Sequence, residues 1–438
     1  MAETEYPVHS IAIEGKIPKK ARPSQTSRVL YSNQVEHLAD ELLSAERCAF
    51  VRVPHWNNHF GIYNKSQLMA CRRLPAAYKQ NFSEREDVTF SDLVQVNCIV
   101  LSELFKRKTG AASGVSSNNH ESFRLVHGDA DGFPGIVVDH YGSLLVVQST
   151  SAVGDFLLDT VTAALHILCN KEQSIFLPIL EKSTGQTRKM LGLPERIRPL
   201  LGPIPEFIDC AFSDLKMKFF PLRSQKTGLF LDQKINLQTF SGLLGSAFFF
   251  PNGRLFEGRM LDLCCYAGAW SAAAAQSGVR KFSMVDQDKF ALKLAQENVS
   301  ENASALENPM PAEFNLLNMD LFEALQKLNE EDQRFEIVVA DPPAFAKSKK
   351  HIPEARRAYS RLTKQASSLV KTGGLFVICS CSRNISEAEF KELVFSQLAK
   401  DAQSDWQFIC SGSQSPDHTV LADEYFAYYL KCYFFRRI

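Results

Sequence analysis

An acidic and a thiol side chain follow two neighbouring strand-like runs in the C-terminal half of the chain. Asp341 opens the sequence Asp-Pro-Pro-Ala-Phe after the apolar run 335–340, and Cys381 follows the apolar run 375–379. Two prolines end the hydrogen-bond ladder of a strand and hold the chain rigid beside the acid. Such a segment, which ends with Phe345, is suited to binding the edge of a flat nucleobase.

Cys381 is a candidate nucleophile for a pyrimidine ring. Carbon-5 of cytosine or uracil takes a methyl group only after a thiolate has added to carbon-6, and elimination later restores the ring. Strand alternation places Cys379 and Cys381 on one face, with Cys381 nearer the strand tip. We therefore assign the nucleophile to Cys381 and expect a buried core thiol at Cys379.

The preceding strand-like runs end in acids that suit a cofactor. Asp262 begins a loop in which Gly268 is the sole glycine before Gly278, and Asp286 ends the next run. An acid at that tip can accept both hydroxyls of a ribose in nicotinamide or S-adenosylmethionine sites. A dinucleotide needs Gly-x-Gly-x-x-Gly near its pyrophosphate. The loop therefore favours S-adenosylmethionine, whose sulfonium and ammonium groups suit Asp262. Asp320, after the third strand, either meets the adenine amino group or caps a helix.

A basic stretch follows Phe345 in a chain whose Lys+Arg and Asp+Glu totals are equal, at 49 each. Between Phe345 and Lys364 only Glu354 is acidic, whereas seven residues are basic. A solvated helix face usually mixes signs, so we expect phosphate contacts here. The predicted RNA-binding residues are Phe345, Lys347, Arg356, Arg357 and Arg361.

Strands alternate with helices from Met260 onward, which predicts a parallel sheet of the doubly wound α/β class with an antiparallel hairpin at its C-terminal end. A β-rich module is predicted before a helix over 90–108, and a Gly/Ser-rich linker over 110–119 precedes a small α/β module. Residues 1–25 suggest a loose leader. We predict three domains, over 1–110, 120–225 and 226–438.

Composition excludes several classes of protein. Hydrophobic residues make up 45% and charged residues 22% of 438, values typical of a globular chain. We expect no signal peptide and no run approaching the ~18 apolar residues of a membrane-spanning helix. Eleven cysteines without a bridging pattern favour a reducing cytoplasm. The cluster Asp129–Gly132 lacks calcium-loop spacing, and we expect no metal.

Taken together, these segments resemble the bacterial large-subunit rRNA cytosine-5 methyltransferases that carry an N-terminal PUA domain. The resemblance runs from about residue 120 to the C-terminus. The matching segments are 124–135, 226–233, 262–268, 341–345, 380–382 and 417–418.

The resemblance implies a PUA domain, a middle α/β module and a class I methyltransferase domain that uses S-adenosylmethionine. It implies that Lys226–Gln233, including Phe230 and Asp232, helps to close the pocket for cofactor and base. Tyr266 belongs to the matching cofactor loop. It also implies that Cys381 is the nucleophile and that Asp341 contacts both the target base and the cofactor pocket.

The sequence therefore predicts an S-adenosylmethionine-dependent enzyme that forms 5-methylcytosine in 23S rRNA. One alternative is direct methylation of a guanine, because related enzymes use similar Asp-Pro-Pro loops for other base positions. Another is an inactive RNA-binding protein of the same fold. The target nucleotide and the base that removes the carbon-5 proton stay unassigned. The oligomeric state is open, with a homodimer among the alternatives.

Overall fold

In the computed structural model the chain forms two compact units. Unit 1 comprises 1–208, 220–228 and 417–424, and unit 2 comprises 209–219, 229–416 and 425–438. The residues that the structure describes are 5–12, 28–44, 47–67, 69–83, 85–110, 121–171, 177–246, 258–305, 311–346, 348–402 and 404–438. Residues 1–4 and 13–25 of the predicted leader, residues 111–119 of the predicted linker, and Lys347 lie outside these ranges.

Unit 1 begins with a six-stranded sheet of order β2-β5-β4-β3-β1-β6. Its strands are β1 (Glu5–Ser10), β2 (Val29–Leu30), β3 (Cys48–Val53), β4 (His59–Asn64), β5 (Cys71–Arg73) and β6 (Asp87–Thr89). The prediction of a loose leader is wrong for β1, which pairs in parallel with β3 and antiparallel with β6. Tyr6 and Val8 on this strand pack against the core of the unit, which outweighs the polar composition around them.

A second sheet of unit 1 has the order β11-β10-β9-β8-β7. Its strands are β7 (Ser122–His127), β8 (Ile136–Tyr141), β9 (Leu145–Ser149), β10 (Ile179–Ser183) and β11 (Arg196–Leu201). The helices of the unit are α1 (Ala76–Phe82), α2 (Phe90–Thr109), α3 (Ala152–Lys171) and α4 (Gln186–Met190). Thr89 caps α2 through a hydrogen bond from the backbone amide of Asp92, and Gly110 ends it with a left-handed φ of 69°.

By length and composition alone, helix α3 is long and apolar enough to cross a membrane, contrary to the expectation that the chain holds no such run. The window Ala152–Cys169 is 18 residues long and has a mean hydropathy of 1.5. However, 56% of that window is buried inside the protein. Its residues Val153, Leu157, Val161 and Leu165 belong to the apolar core of unit 1, as expected for a core helix.

Unit 2 is built on a seven-stranded sheet of order β16-β15-β14-β17-β18-β20-β19, beside the hairpin β12-β13. These strands are β12 (Ile208–Phe212), β13 (Leu215–Phe219), β14 (Arg259–Leu263), β15 (Lys281–Val285), β16 (Glu313–Leu317), β17 (Phe335–Ala340), β18 (Val370–Ser380), β19 (Trp406–Ser413) and β20 (Lys431–Arg437). Strands β14 to β18 are parallel, whereas β20 is antiparallel to β18 and β19. The predicted α/β class and terminal hairpin are confirmed.

Helices cover both faces of this sheet, and several begin at capping side chains. They are α5 (Lys234–Leu244), α6 (Ala269–Gln276), α7 (Lys289–Ser304), α8 (Leu321–Glu330), α9 (Ile352–Ser367) and α10 (Glu387–Leu398). Asp288, Asp320 and Ser386 accept backbone N–H groups at the starts of α7, α8 and α10. The parallel strands therefore all end at one edge, which collects the residues singled out from the sequence.

Candidate active site at the carboxyl edge of the large sheet

The loop between β14 and α6 is held in an unusual backbone conformation. Cys264 and Tyr266 have positive φ angles of 63° and 48°, and Gly268 has a φ of 80°. A side chain at Gly268 would put its Cβ 2.8 Å from the Cβ of Ala295 on α7. Glycine is thus required by both conformation and space, and non-glycine residues with positive φ concentrate at functional sites.

Asp286, at the tip of β15, fixes this loop. Its carboxylate accepts the backbone N–H of Tyr266 at 2.9 Å and that of Asp288 at 2.9 Å. The side chain is half-buried and, with up to four lone-pair sites on a carboxylate, has acceptor capacity beyond these two bonds. That geometry suits an acid that receives further donors such as ribose hydroxyls.

Asp320 is an N-cap, one of its two predicted roles. Its Oδ1 accepts the backbone N–H of Phe322 at 2.8 Å, and its Oδ2 accepts Nε2 of Gln287 at 2.8 Å. Both carboxylate oxygens therefore have partners within the fold. Gln287, one residue beyond Asp286, was not singled out from the sequence, although its place after the strand tip could have pointed to it.

Asp262 supplies the test of whether the edge suits a cationic cofactor. It is fully buried, Oγ of Ser271 donates to its Oδ2 at 2.7 Å, and its Oδ1 has no hydrogen-bond partner among the residues described. Burial raises the pKa of Asp262 to about 7, and the nearby carboxylates of Asp341 and Asp286 add to the rise. An edge with this excess of negative charge fits a cationic sulfonium and ammonium ligand.

Asp341, directly after β17, is gripped by side chains from two other segments. Nε2 of Gln233 donates to its Oδ2 at 2.9 Å, and the indole N–H of Trp270 donates to the same oxygen at 3.2 Å. Gln233 is itself oriented by Asn236, which donates to its Oε1 at 2.6 Å. The predicted residues Gln233 and Asp341 are thus brought together, whereas Trp270 was missed.

Of the other residues expected near the pocket, Phe230, Asp232 and Tyr266 lie in unit 2, whereas Lys226 lies in unit 1. The ring of Phe230 lies 4.9 Å from that of Tyr266, centroid to centroid. Asp232 is buried and accepts the phenol of Tyr429 at 2.6 Å. Lys226, which has a φ of 47°, lies in unit 1.

The two thiols of β18 differ in surroundings. Cys379 is fully buried and stands directly opposite Cys432 on β20, and burial raises its pKa well above the ordinary value. Cys381 is half-buried just beyond the strand, where its Sγ lies 3.9 Å from the carbonyl oxygen of Pro342. Pro342 follows Asp341, so the thiol reaches the chain of the Asp-Pro-Pro segment.

Around Cys381 lies a buried hydroxyl network that the sequence did not reveal. The phenol of Tyr359 on α9 lies 2.8 Å from Oγ of Ser380 and 2.9 Å from Oγ of Ser382. Burial raises the pKa of Tyr359 to about 12, so the phenol stays protonated. The two serines flank Cys381, and their bonds to Tyr359 fix the backbone on both sides of the thiol.

Helix α9 carries much of the predicted basic stretch on its solvent side. Arg356, Arg357 and Arg361 are exposed. Arg356 forms an ion pair with Glu389 of α10, and Arg357 pairs with Glu354 at 3.3 Å. Glu389 lies outside the basic stretch in sequence, so a count of charges within that stretch does not include it. Its ion pair with Arg356 balances part of the positive charge within unit 2.

Arg361 and Phe345 belong to one cluster of a guanidinium and aromatic rings at the carboxyl edge of the large sheet. The guanidinium of Arg361 lies 4.5 Å from the ring centroid of Phe322. The ring of Phe322 stacks at 6.1 Å on Phe345, which in turn lies 4.8 Å from Tyr359. Flat rings and a guanidinium plane form a surface of the kind on which nucleobases stack.

Comparisons with known proteins show which family this chain resembles. A family model for the methyltransferase small domain matches residues 229–405. Ribosomal RNA large subunit methyltransferase I of Photobacterium profundum is 32% identical over 315 residues, which cover 71% of this chain and 74% of that protein. The same enzyme of Shewanella amazonensis is 30% identical over 328 residues, with coverage of 74% and 77%.

Two solved structures share the fold over nearly the whole chain. A candidate SAM-dependent methyltransferase from Streptococcus mutans has a TM-score of 0.69 at 18% identity, covering 98% of this chain and 100% of that one. A candidate methyltransferase complexed with SAH has a TM-score of 0.68 at 18% identity, covering 99% and 100%. At these identities the likeness establishes the fold.

Proposed function

The chain belongs to the family of the ribosomal RNA large subunit methyltransferases I, and we propose that it transfers a methyl group from S-adenosylmethionine to carbon-5 of a cytosine in 23S rRNA. The observation that carries the choice of base is the half-buried Cys381 beside the backbone of the Asp-Pro-Pro segment. Direct methylation of a guanine needs no thiol at that place.

The cofactor is proposed to lie along the ends of β14, β15 and β16. Asp286 would accept the ribose hydroxyls, Asp320 would face the adenine, and Asp262 would act through its negative charge. The rings of Phe230 and Tyr266 would form one wall of the cofactor pocket. When bound, the cofactor supplies a methyl group on a cationic sulfonium.

Cys381 is proposed to act on the target base in three steps. Its thiolate attacks carbon-6, forming the S–C6 bond and moving the C5–C6 π electrons toward carbon-5. Carbon-5 then forms a bond to the methyl group while the bond between the methyl group and the sulfonium sulfur breaks. Finally a base removes the carbon-5 proton, and the S–C6 bond breaks to restore the ring and the thiolate.

Asp341 is proposed to hold the cytosine. Its carboxylate is oriented by Gln233 and Trp270, and a carboxylate accepts the exocyclic amino group of cytosine. Phe345 would stack near the base, while Arg356, Arg357, Arg361 and Lys347 would contact phosphates.

Unit 1 is proposed to contribute RNA binding through the PUA-like sheet that the resemblance implies over 1–110. The small α/β module of 120–225 and the methyltransferase domain of 226–438 complete the proposed division. All eleven cysteines are unbridged, in keeping with a reducing cytoplasm.

The decisive experiment traps the covalent adduct. RNA carrying 5-fluorocytidine should form a stable complex with the wild-type protein, because fluorine cannot leave as a proton does. The trap should require S-adenosylmethionine and be absent in Cys381→Ala, which should still bind cofactor and RNA but yield no 5-methylcytosine. Gel mobility and mass spectrometry of the product measure both outcomes.

Cys379→Ala is the matched control, since it removes a thiol two residues away. It should keep activity, with a loss of stability on the order of 1 kcal/mol from a small cavity. Full activity in Cys381→Ala would overturn the covalent mechanism and favour direct methylation of guanine. A trap lost only in Cys379→Ala would assign the nucleophile to that thiol instead.

A further inference from the structure

Lys431, the first residue of β20, carries a buried ammonium group. Its side chain is almost wholly enclosed, and its Nζ donates to the carbonyl oxygens of Ser382 at 2.7 Å, Tyr429 at 2.8 Å and Ile385 at 2.9 Å. An ammonium has three N–H donors, so these carbonyls satisfy all of them. No carboxylate contacts the ammonium directly among the described residues, and it is held by neutral dipoles.

The position of this ammonium relates it to Cys381. Lys431 pairs in register with Ser380 on β18, the residue before the thiol. Two of its three acceptors, Ser382 and Ile385, belong to the turn that follows the thiol. Lys431 therefore binds the chain after Cys381, while its backbone pairs with the chain before it. Burying a cation costs several kcal/mol, and the hydrogen bonds to three carbonyl oxygens offset that cost.

We propose that Lys431 is a positioning residue for Cys381: its buried ammonium fixes the turn after the thiol and supplies the positive charge that favours the thiolate. This inference rests on the function proposed above, in which Cys381 is the nucleophile. Lys431 makes no contact with the base in this role, because its three donors are already engaged.

The groups around the thiol include one that opposes the thiolate and one cation that favours it. The carbonyl oxygen of Pro342 points at Sγ of Cys381, which favours the thiol and opposes the thiolate. Burial lowers the pKa of Lys431 to about 8, while attraction to the Cys381 thiolate and to Glu387 and Glu389 raises it. Attraction between two groups acts on both, so the ammonium favours ionisation of the thiol in equal measure.

Other titratable groups surround the pair, and the carboxylate of Asp341, which precedes Pro342, opposes the thiolate. Glu389 is paired with Arg356, Glu387 is exposed, and the Tyr359 phenol stays neutral. Arg383 is also exposed, and its guanidinium lies 5.3 Å from the ring centroid of Tyr429. Among these groups, Lys431 is the cation shielded from water, and its field is screened least.

Lys182 in unit 1 offers a matched control. It is buried to the same degree, its Nζ donates to the carbonyl oxygens of Pro221 and Ser224 and to Oγ of Ser224, and burial lowers its pKa to about 8 as well. Lys182→Gln therefore removes an equally buried ammonium from a unit that does not contain Cys381.

The test measures the thiol itself. The full-length wild type, Lys431→Gln and Lys182→Gln are alkylated with iodoacetamide across a pH series, and modification of the Cys381 peptide is followed by mass spectrometry. The midpoint of the pH–rate profile should rise by about one pH unit in Lys431→Gln and stay at the wild-type value in Lys182→Gln. An unchanged midpoint in folded Lys431→Gln would overturn the inference.

Lys431→Arg covers the case in which Lys431→Gln does not fold. It keeps the charge but changes the donor geometry, so the midpoint should stay near the wild-type value while kcat falls. A midpoint raised by a full unit in Lys431→Arg would contradict the charge role. Alkylation does not depend on methyl transfer. An active Cys381→Ala therefore refutes the proposed function, whereas the profile refutes only the role of Lys431.

Discussion

The two halves of the site are held in different ways. At the ends of β14 to β16, the acids bind groups of the loops and helix starts at that edge: Asp286 holds the backbone of Tyr266 and Asp288, and Asp320 holds Phe322 and the side chain of Gln287. At the ends of β17 and β18, Asp341 and the Cys381 loop are held by side chains from distant segments of the chain. The proposed cofactor half is therefore shaped by the loops at its own strand ends, whereas the proposed reactive half depends on the assembled unit.

The largest effect that separates the halves is expected at Asp341. Asp341→Asn keeps the size of the side chain but removes the charge that Gln233 and Trp270 orient. Removing one preorganised electrostatic group typically costs 100-fold or more in kcat, so we expect at least about a 100-fold loss. Asp332→Asn, a change at an acid exposed to solvent, should leave kcat unchanged. Wild-type kcat in Asp341→Asn would show that this carboxylate is not used.

A smaller effect, on pH dependence, is expected in the cofactor half. Because the pKa of Asp262 is raised to about 7, the carboxyl is neutral below that pH and ionised above it. A cationic ligand prefers the ionised form, so affinity for S-adenosylmethionine should rise roughly tenfold between pH 6 and 8. Isothermal calorimetry measures this, together with the proton released on binding.

Asp262→Asn should flatten that profile, whereas Asp288→Asn, which keeps its helix cap, should not. The same ionisation affects stability with the opposite sign. The unfolded chain releases this proton near pH 4, so the contribution of Asp262 to the free energy of unfolding falls as the pH rises from about 4 to 7. If the affinity for S-adenosylmethionine had the same pH dependence in wild type and Asp262→Asn, Asp262 would not be the acid that favours the cationic cofactor.

The arrangement of acids at the ends of β14 to β16 could largely be predicted from the sequence, because these residues follow strand tips in order. The strands, the single-glycine loop, Asp262 and Asp286 all follow from local pattern. Trp270, Tyr359, Tyr429 and Lys431 could not be found this way, because their roles depend on contacts over long stretches of chain. The pairing of Arg356 with Glu389 escaped a charge count for the same reason.

The smallest expected effect tests the basic face of α9. Arg357 is largely exposed and pairs only weakly with Glu354, so it is available for a phosphate. Arg357→Gln should reduce the magnitude of the log–log salt slope of RNA binding by up to about 0.7 to 0.9. Lys327→Gln on α8, where the lysine has a similar partner in Glu331, is the control. Equal slopes in the two variants would make α9 an ordinary solvated face.

The passage of the chain between the units has a consequence for biosynthesis. Unit 1 includes 417–424, where the carboxylate of Asp417 accepts the backbone N–H of Arg124 at 2.9 Å and its carbonyl oxygen accepts Nζ of Lys108 at 2.8 Å. Domains generally form as the ribosome delivers them, N-terminal first. Here the N-terminal unit obtains its last segment only after most of the seven-stranded sheet of unit 2 has been translated. A nascent chain released before residue 417 leaves both units unfinished, so maturation of the N-terminal unit is tied to synthesis of the C-terminal one.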